Sequence, residues 1–364
     1  MNIESSHIKK TSTVYMMMSG GVDSSVAAAI LKNEGYNVIG VFIKCWSIES
    51  LKQIGVSDDL YGCFWEEDST DAQLVADSLD IPFYVWDFEE EYKKGVVDYM
   101  INEYKIGRTP NPDVMCNSTI KFGIFYEKAI QLGADFVATG HYARSQNGRL
   151  YRGKDQKKDQ SYFVWRIRKD QLDHVLMPIG KFDTKAEVRA LAEKYNLITA
   201  YKPDSQGLCF IGETPVRQLL LQTLGEKEGN ILDVYGKILG KHSGAFQYTI
   251  GQRHQLGLAG GPWFVRSTDI EKNTVSVAHD TDQKSLYSNS LIANNINYFR
   301  DLIDGTEYVF AAQIRYRQDA QECIMTRNGD SITIDFKQQV RAVSKGQSVV
   351  IYDGDEMVAG GIIS

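Results

Sequence analysis

The heptapeptide Ser-Gly-Gly-Val-Asp-Ser-Ser at 19–25 stands between an apolar run, Val14 to Met18, and a stretch with Val26, Ala27, Ile30 and Leu31 at helical spacing that Gly35 stops. A glycine pair at a strand-to-helix turn lets backbone N–H groups approach an anion at the helix N-terminus, where the helix dipole favours negative charge. The hydroxyls of Ser19, Ser24 and Ser25 add donors, and Asp23 is placed to orient magnesium or to cap the helix through its carboxylate. The lysine of a Walker loop is absent. Such a turn belongs at the carboxyl end of a strand in an α/β sheet, where ligands bind.

The flanking pattern agrees. Strands are expected at Val14 to Met18, Val38 to Ile43, Pro82 to Trp86 and Phe136 to Thr139, and helices at Asp23 to Asn33, Asp71 to Leu79, Glu89 to Tyr104 and Phe122 to Leu132. This alternation predicts an α/β fold with a doubly wound parallel sheet, placing the heptapeptide and Gly140-His141 at its ligand-binding edge. After about residue 212 a short helix, Pro215 to Leu224, gives way to glycine-punctuated strands such as Ala245 to Ile250 and Trp263 to Ser267, which reads as a small mixed domain. From about 280, alternating runs at Tyr308 to Arg315, Ile332 to Phe336 and Ser348 to Tyr352 read as a compact β-barrel. The expected domains are therefore 1–212, 213–279 and 280–364.

A chain of 364 residues is too long for one ordinary core, and its 43% hydrophobic and 24% charged content suits folded domains. No apolar run reaches the ~20 residues of a membrane helix, and the N-terminus lacks the apolar core of a signal peptide, so the expected location is the cytoplasm. The net charge of −7 argues against a uniformly basic nucleic-acid binder. Charge is unevenly spread, however: residues 49–91 hold thirteen acids and one lysine, whereas 149–169 hold eight Lys or Arg and two Asp, an excess that could meet a phosphate backbone. Within that basic run Tyr162, Phe163 and Trp165 read as core rather than as a stacking platform.

Five cysteines, at 45, 63, 116, 209 and 323, form no CxxC pair and suggest neither a disulfide scaffold nor a zinc site. Cys116 lies in TPNPDVMCNSTIKF at 109–122, read as a rigid irregular loop with Asp113 three residues earlier. A helix starting just after Cys116, or the nearby Lys121, would favour its thiolate. Cys209 lies in a second such loop, KPDSQGLCFIG, and two loop cysteines permit a sulfur relay that closes a disulfide. Cys45 and Cys323 read as packing residues, and Cys63 lies in an acidic loop.

The heptapeptide in its strand-to-helix setting resembles the PP-loop ATP pyrophosphatase superfamily, whose members cleave ATP between the α and β phosphates to adenylate a substrate oxygen. With the two cysteine loops, ATGHYAR at 138–144, KDQSYF at 158–163, YTIGQRHQLGL at 248–258 and RYRQ at 315–318, the chain resembles the tRNA-specific 2-thiouridylase family nearly end to end. The resemblance implies a PP-loop domain, a small central domain and a C-terminal β-barrel, the last two helping to hold tRNA. It implies that the loop Met17, Met18, Ser19, Gly20, Gly21, Val22, Asp23 and Ser24 holds ATP, with magnesium, and that Ile43 and Gly140 line the nucleotide pocket. Asn111, Pro112 and Asp113 would face the target uridine of the anticodon loop, Asp113 as acid/base. Cys209 would carry a transient persulfide delivered by a partner sulfur carrier, and Cys116 would attack it or otherwise help to release its terminal sulfur. Lys158, Asp159 and Gln160, with the strand-borne Arg315 and Tyr316, would touch the tRNA. Met17 stands where the family usually has glycine, Ser118 where it has a basic residue, and Gln206 where it has threonine.

Two other classes fit parts of this pattern. Another PP-loop synthetase, amide-forming or lysidine-type, would share the adenylation but need no cysteine pair. A non-catalytic RNA-binding relative would keep the fold alone.

Overall fold

The computed structural model describes residues 12–47, 65–204 and 216–364. The chain forms two units, and residues 96–112 join the second although they lie early in the sequence.

In the first unit five parallel strands, β1 (Thr13–Met17), β2 (Asn37–Lys44), β3 (Phe83–Asp87), β4 (Phe136–Ala138) and β7 (Val175–Leu176), are ordered β3-β2-β1-β4-β7. A hairpin, β5 (Ala143–Gln146) and β6 (Arg149–Arg152), leaves β4. β1 alternates between the two faces of the sheet. Val14 and Met16 pack into a core with α1 (Val22–Asn33), α2 (Trp65–Ser78) and α5 (Lys185–Lys194). Tyr15 turns the other way, onto Trp86, which meets Phe125 at 4.9 Å between ring centroids. The sheet is thus covered on both faces, as the alternation predicted. Strand order reverses between β1 and β4, the switch point at which open α/β sheets bind ligands.

Two helices differ from expectation. α2 is already helical at Trp65, the first described residue of that stretch and six before the expected Asp71, and acidic Glu66, Glu67 and Asp68 suit the positive end of a helix. The segment 109–122, expected as an irregular loop, is helical from Pro112. Pro112–Met115 runs into a π-helical stretch, Cys116–Phe125, and then Tyr126–Gln131; together these are α4. Proline suits a first helical turn, whose N–H groups lack partners anyway, so Pro112 starts this helix rather than blocking it. The expected helix at 89–104 is continuous as α3, with Glu89–Tyr92, a π-helical Lys93–Asp98 and Tyr99–Lys105 in succession.

The second unit holds a mixed sheet and a barrel. The sheet is ordered β10-β11-β8-β9, formed by Trp263–Asp269, Thr274–His279, Gly229–Leu232 and Ile238–His242, with α6 (Val216–Leu224) preceding it. Ala245–Gln247, expected to open a strand, is a 3-10 turn closed on Gly244, whose φ of 151° an L residue rarely adopts. The barrel comprises β12 (Tyr287–Tyr298), β13 (Glu307–Gln313), β14 (Gln321–Asn328), β15 (Ser331–Arg341), β16 (Ser348–Asp353) and β17 (Glu356–Ile363), all antiparallel. Pairing of β12 with β17, for example Ala293 with Ile363, closes it and removes two open edges. β13 ends at Gln313, so Arg315 lies in the following turn rather than on a strand. Ile332, Ile334 and Met325 are fully buried in the barrel core. Truncating Ile334 to Ala is expected to cost about 2–5 kcal/mol, measured by urea unfolding.

Candidate active site

β1 ends at Met17, and Met18 extends it by one hydrogen bond, its N–H donating to the Val41 carbonyl at 2.9 Å. The chain then turns through Gly20, at φ +71°, into α1. No side chain caps this helix at its N-cap residue, Gly21. The serines organise the turn: Ser24 Oγ accepts from the Ser19 N–H at 3.1 Å and donates to the Gly21 carbonyl at 3.1 Å, while Ser25 Oγ donates to the same carbonyl at 2.8 Å. Ser19 is exposed, whereas Met17, Met18, Val22 and Ile43 are buried. The arrangement is a concave backbone at a helix N-terminus, suited to phosphate.

Two close approaches hold that backbone. A Cβ at position 20 would lie 2.2 Å from the Asp68 carbonyl oxygen, and one at position 140 would lie 2.7 Å from the Ser24 nitrogen. Gly140 therefore presses β4 against the first turn of α1. His141, beside it, accepts from or donates to Thr139 Oγ1 through Nδ1 at 2.9 Å. Burial, reinforced by Lys121, holds its pKa well below the usual histidine range, so His141 is neutral near pH 7.

Asp23, in the first turn of α1, does not stand open to a metal as the sequence allowed. Its Oδ1 and Oδ2 lie 2.6 and 2.7 Å from Lys185 Nζ, and Tyr142 Oη donates to Oδ1 at 2.8 Å. Lys185 Nζ also meets Asp204 at 3.0 Å, and Asp204 pairs with Lys158 at 2.7 Å and Arg189 at 3.0 Å. Burial alone would raise the Asp204 pKa, but hydrogen bonds from Lys158 and Lys185 lower it to about 2. Burial and the Asp23 carboxylate together push the Tyr142 phenol far up. Among the described residues no group of three or more His, Cys, Asp or Glu is placed to hold a metal ion. Asp23, the carboxylate nearest the loop, has both oxygens engaged by Lys185.

Cys116 opens the π-helical stretch of α4 and is 1% exposed. The helix starts before it, at Pro112, not after it, so Cys116 lies beyond the first turn where a helix dipole acts. Its neighbours are tied down: Thr119 Oγ1 donates to the Met115 carbonyl at 2.6 Å, Asn117 Nδ2 to the Phe163 carbonyl at 3.0 Å, and Gln171 Nε2 to the Phe122 carbonyl at 2.7 Å. Asp113 lies in the first turn, partly buried. Cys209 and Cys63 lie outside the described residues.

The expected tRNA contacts divide. Asp159 is 7% exposed and faces inward, accepting from the Gly153 and Ser161 N–H groups, Ser161 Oγ and Arg152. Gln160 Oε1 accepts from the Tyr142 N–H at 2.9 Å. Arg315 likewise points inward in the second unit, donating to the Ile250 and Ala342 carbonyls and to Ser344 Oγ. Lys158 and Tyr316 are partly exposed. Tyr162 and Trp165 are core, as expected. In the second unit, Thr109 N–H donates to the Lys345 carbonyl, and Gln347 Nε2 donates to the Thr109 and Pro110 carbonyls. Sequence reasoning missed Lys185, Tyr142 and Asp204, because ion pairs between distant segments leave no local pattern.

Fold and site together define a PP-loop type nucleotide-binding domain joined to a mixed sheet and a closed barrel. Family models match in three consecutive blocks: a tRNA methyl transferase HUP domain over 12–213, a tRNA methyl transferase PRC-barrel domain over 217–279 and an aminomethyltransferase beta-barrel domain over 288–363. The tRNA-specific 2-thiouridylase MnmA of Exiguobacterium sibiricum is 44% identical over 358 residues, covering 96% of this chain and 93% of that protein. Those of Bacillus subtilis strain 168 and Listeria monocytogenes are 44% and 45% identical, each covering 96% of this chain and 94% of the relative. The chain belongs to the tRNA-specific 2-thiouridylase family.

Two outcomes follow from the geometry. Gly140→Ala should destabilise the first unit by about 1–3 kcal/mol through overlap with Ser24, measured by chemical denaturation. Asp204, with a pKa lower folded than unfolded, contributes stability that is fully present above its unfolded value of about 3.9 and is lost as pH falls through about 2. Asp204→Asn should therefore flatten the dependence of melting temperature on pH in that window and leave no such slope near pH 7.

Proposed function

We propose that this chain thiolates carbon 2 of the wobble uridine in the tRNA anticodon loop, using ATP and a persulfide sulfur. The single observation that carries the reading is the serine-organised, uncapped N-terminus of α1 at the sheet's switch point, in a chain that aligns along nearly its whole length with 2-thiouridylases. The proposed domain limits are 1–212 for nucleotide chemistry, 213–279 for a central tRNA-binding domain and 280–364 for the barrel.

Oxygen is a poor leaving group from carbon 2 of uracil. Attack of that oxygen on the α-phosphorus of ATP expels pyrophosphate and converts the oxygen into part of AMP. The N–H groups at the turn into α1, residues 20–24, would cradle the phosphates, with Met17, Met18 and Ser19 holding the loop behind them and Ile43 and Gly140 closing the nucleotide side. Any magnesium would arrive with the nucleotide, on its phosphates.

A sulfur carrier protein would leave a persulfide on Cys209. The Cys116 thiolate attacks the Cys209 sulfur, a disulfide forms between the two residues, and hydrosulfide leaves to displace AMP from carbon 2. Asp113 takes up the proton released, and an external thiol reduces the disulfide for the next turnover. Because Cys116 is buried, its π-helical stretch must shift to present the thiol; π-helical turns often occur at functional sites. Asn111, Pro112 and Asp113 would face the flipped base. Lys158 and Tyr316 would meet the tRNA directly, while Asp159, Gln160 and Arg315 shape the backbone around them.

The alternative PP-loop synthetases require no cysteine pair. Replacing Cys116 or Cys209 separately by Ser should abolish 2-thiouridine formation while ATP still binds, read by mass analysis of tRNA and by calorimetry. Thiolation retained in both variants would sink the proposal. ATP with tRNA that yields no AMP would favour a non-catalytic relative.

A further inference from the structure

The phosphate loop has no lysine of its own, yet one from 162 residues further along the chain reaches it. Lys185 begins α5, with Thr184 as N-cap and its own backbone N–H donating to Asp155 Oδ2 at 3.0 Å. The main chain there is fixed, and only the four-carbon side chain must swing. That side chain is 13% exposed, so its ammonium is largely withdrawn from water beside the first turn of α1.

The surrounding groups are arranged so that each carboxylate keeps a hydrogen-bond partner when Lys185 leaves. Asp23 would keep the Tyr142 hydroxyl at 2.8 Å, and Asp204 would keep Lys158 at 2.7 Å and Arg189 at 3.0 Å. A buried pair with no other partners would bind its lysine permanently, because removing one member leaves an uncompensated charge. Asp23 also poses a problem that a cation must solve. A carboxylate in the first turn of α1 repels an incoming polyphosphate unless a positive charge lies next to it.

We propose that Lys185 is the cation of the phosphate loop: on nucleotide binding its Nζ moves from Asp23 to the β- and γ-phosphates and stays with them as pyrophosphate leaves. The inference rests on the ATP chemistry proposed above. In the adenylation step the bond between the α-phosphorus and the bridging oxygen breaks, and its electron pair passes to pyrophosphate. The ammonium donates hydrogen bonds to that developing charge and transfers no proton. ATP would thereby exchange one ion pair for another, and Asp23 would act as the resting site of Lys185.

The test compares ATP with AMP, which lacks the β- and γ-phosphates, by calorimetry on the full-length protein. Lys185→Met should weaken ATP binding about 10- to 100-fold and change AMP binding by less than about twofold. The same selective loss should appear when Lys185→Met is added to Asp23→Asn, where no Asp23 charge remains to be stranded. A lysine that only balances Asp23 would give equal losses for ATP and AMP, or no loss in the Asp23→Asn background, and either result overturns the proposal. If Lys185→Met does not fold, Lys185→Arg carries the test: ATP binding falls by a smaller factor with AMP unchanged, and parallel changes overturn it. A wild-type protein that binds no ATP overturns the nucleotide reading and this inference together; one that binds ATP with Lys185→Met unimpaired overturns this inference alone.

Discussion

The start of α1 leaves backbone N–H groups without a side-chain cap, and much of the first unit is arranged around that deficit. β1 delivers the chain to the switch point of the sheet, two serines fold the turn back on the Gly21 carbonyl, and Gly140 brings β4 against the opening turn. An anion completes the site more readily than water does, because the helix dipole and several N–H groups act on one point. Asp23 sits in the same turn with opposite electrostatic sense, so the site at rest holds its own carboxylate and its own lysine. The part-buried polar network of Tyr142, Lys185, Asp204, Lys158 and Arg189 surrounds that carboxylate and balances it.

The surroundings of Cys116 are built differently. Cys116 is held within a helix rather than on a loop, with neighbours anchored to the Phe163 carbonyl and to Gln171. A thiol enclosed in this way is shielded from adventitious oxidation and from water, at the cost of access. The stretch that holds it is π-helical, a rare geometry found frequently at functional sites.

Much of the fold was legible in the sequence, and the failures share a cause. Period-two and helical spacings located the sheet strands and the barrel because burial imposes those periods directly. The segment from 109 to 122 misled because two prolines and two asparagines are turn residues by local preference. Pro112 instead occupies the first turn of a helix, where its missing N–H does no harm. Ala245–Gln247 looked like a strand from its apolar residues, but the backbone at Gly244 turns the chain. At the site, the heptapeptide was readable because phosphate binding needs contiguous backbone. Lys185 and Asp204 were not readable, since a tertiary ion pair places no demand on neighbouring residues. Asp159 and Arg315 were visible as polar residues in matching segments, but whether a polar side chain turns inward depends on donors such as Gly153 and acceptors such as Ala342 that sequence does not bring together.

The contact of Gly20 with the Asp68 carbonyl joins a turn to a helix 48 residues later. The two backbones touch with no side chain between them, so neither can move without the other, and the acidic opening of α2 is a structural part of the phosphate loop. The heptapeptide is therefore not a portable unit. Grafted into another strand-to-helix turn, it would carry its glycines and serines but lack the wall that keeps Gly20 in place.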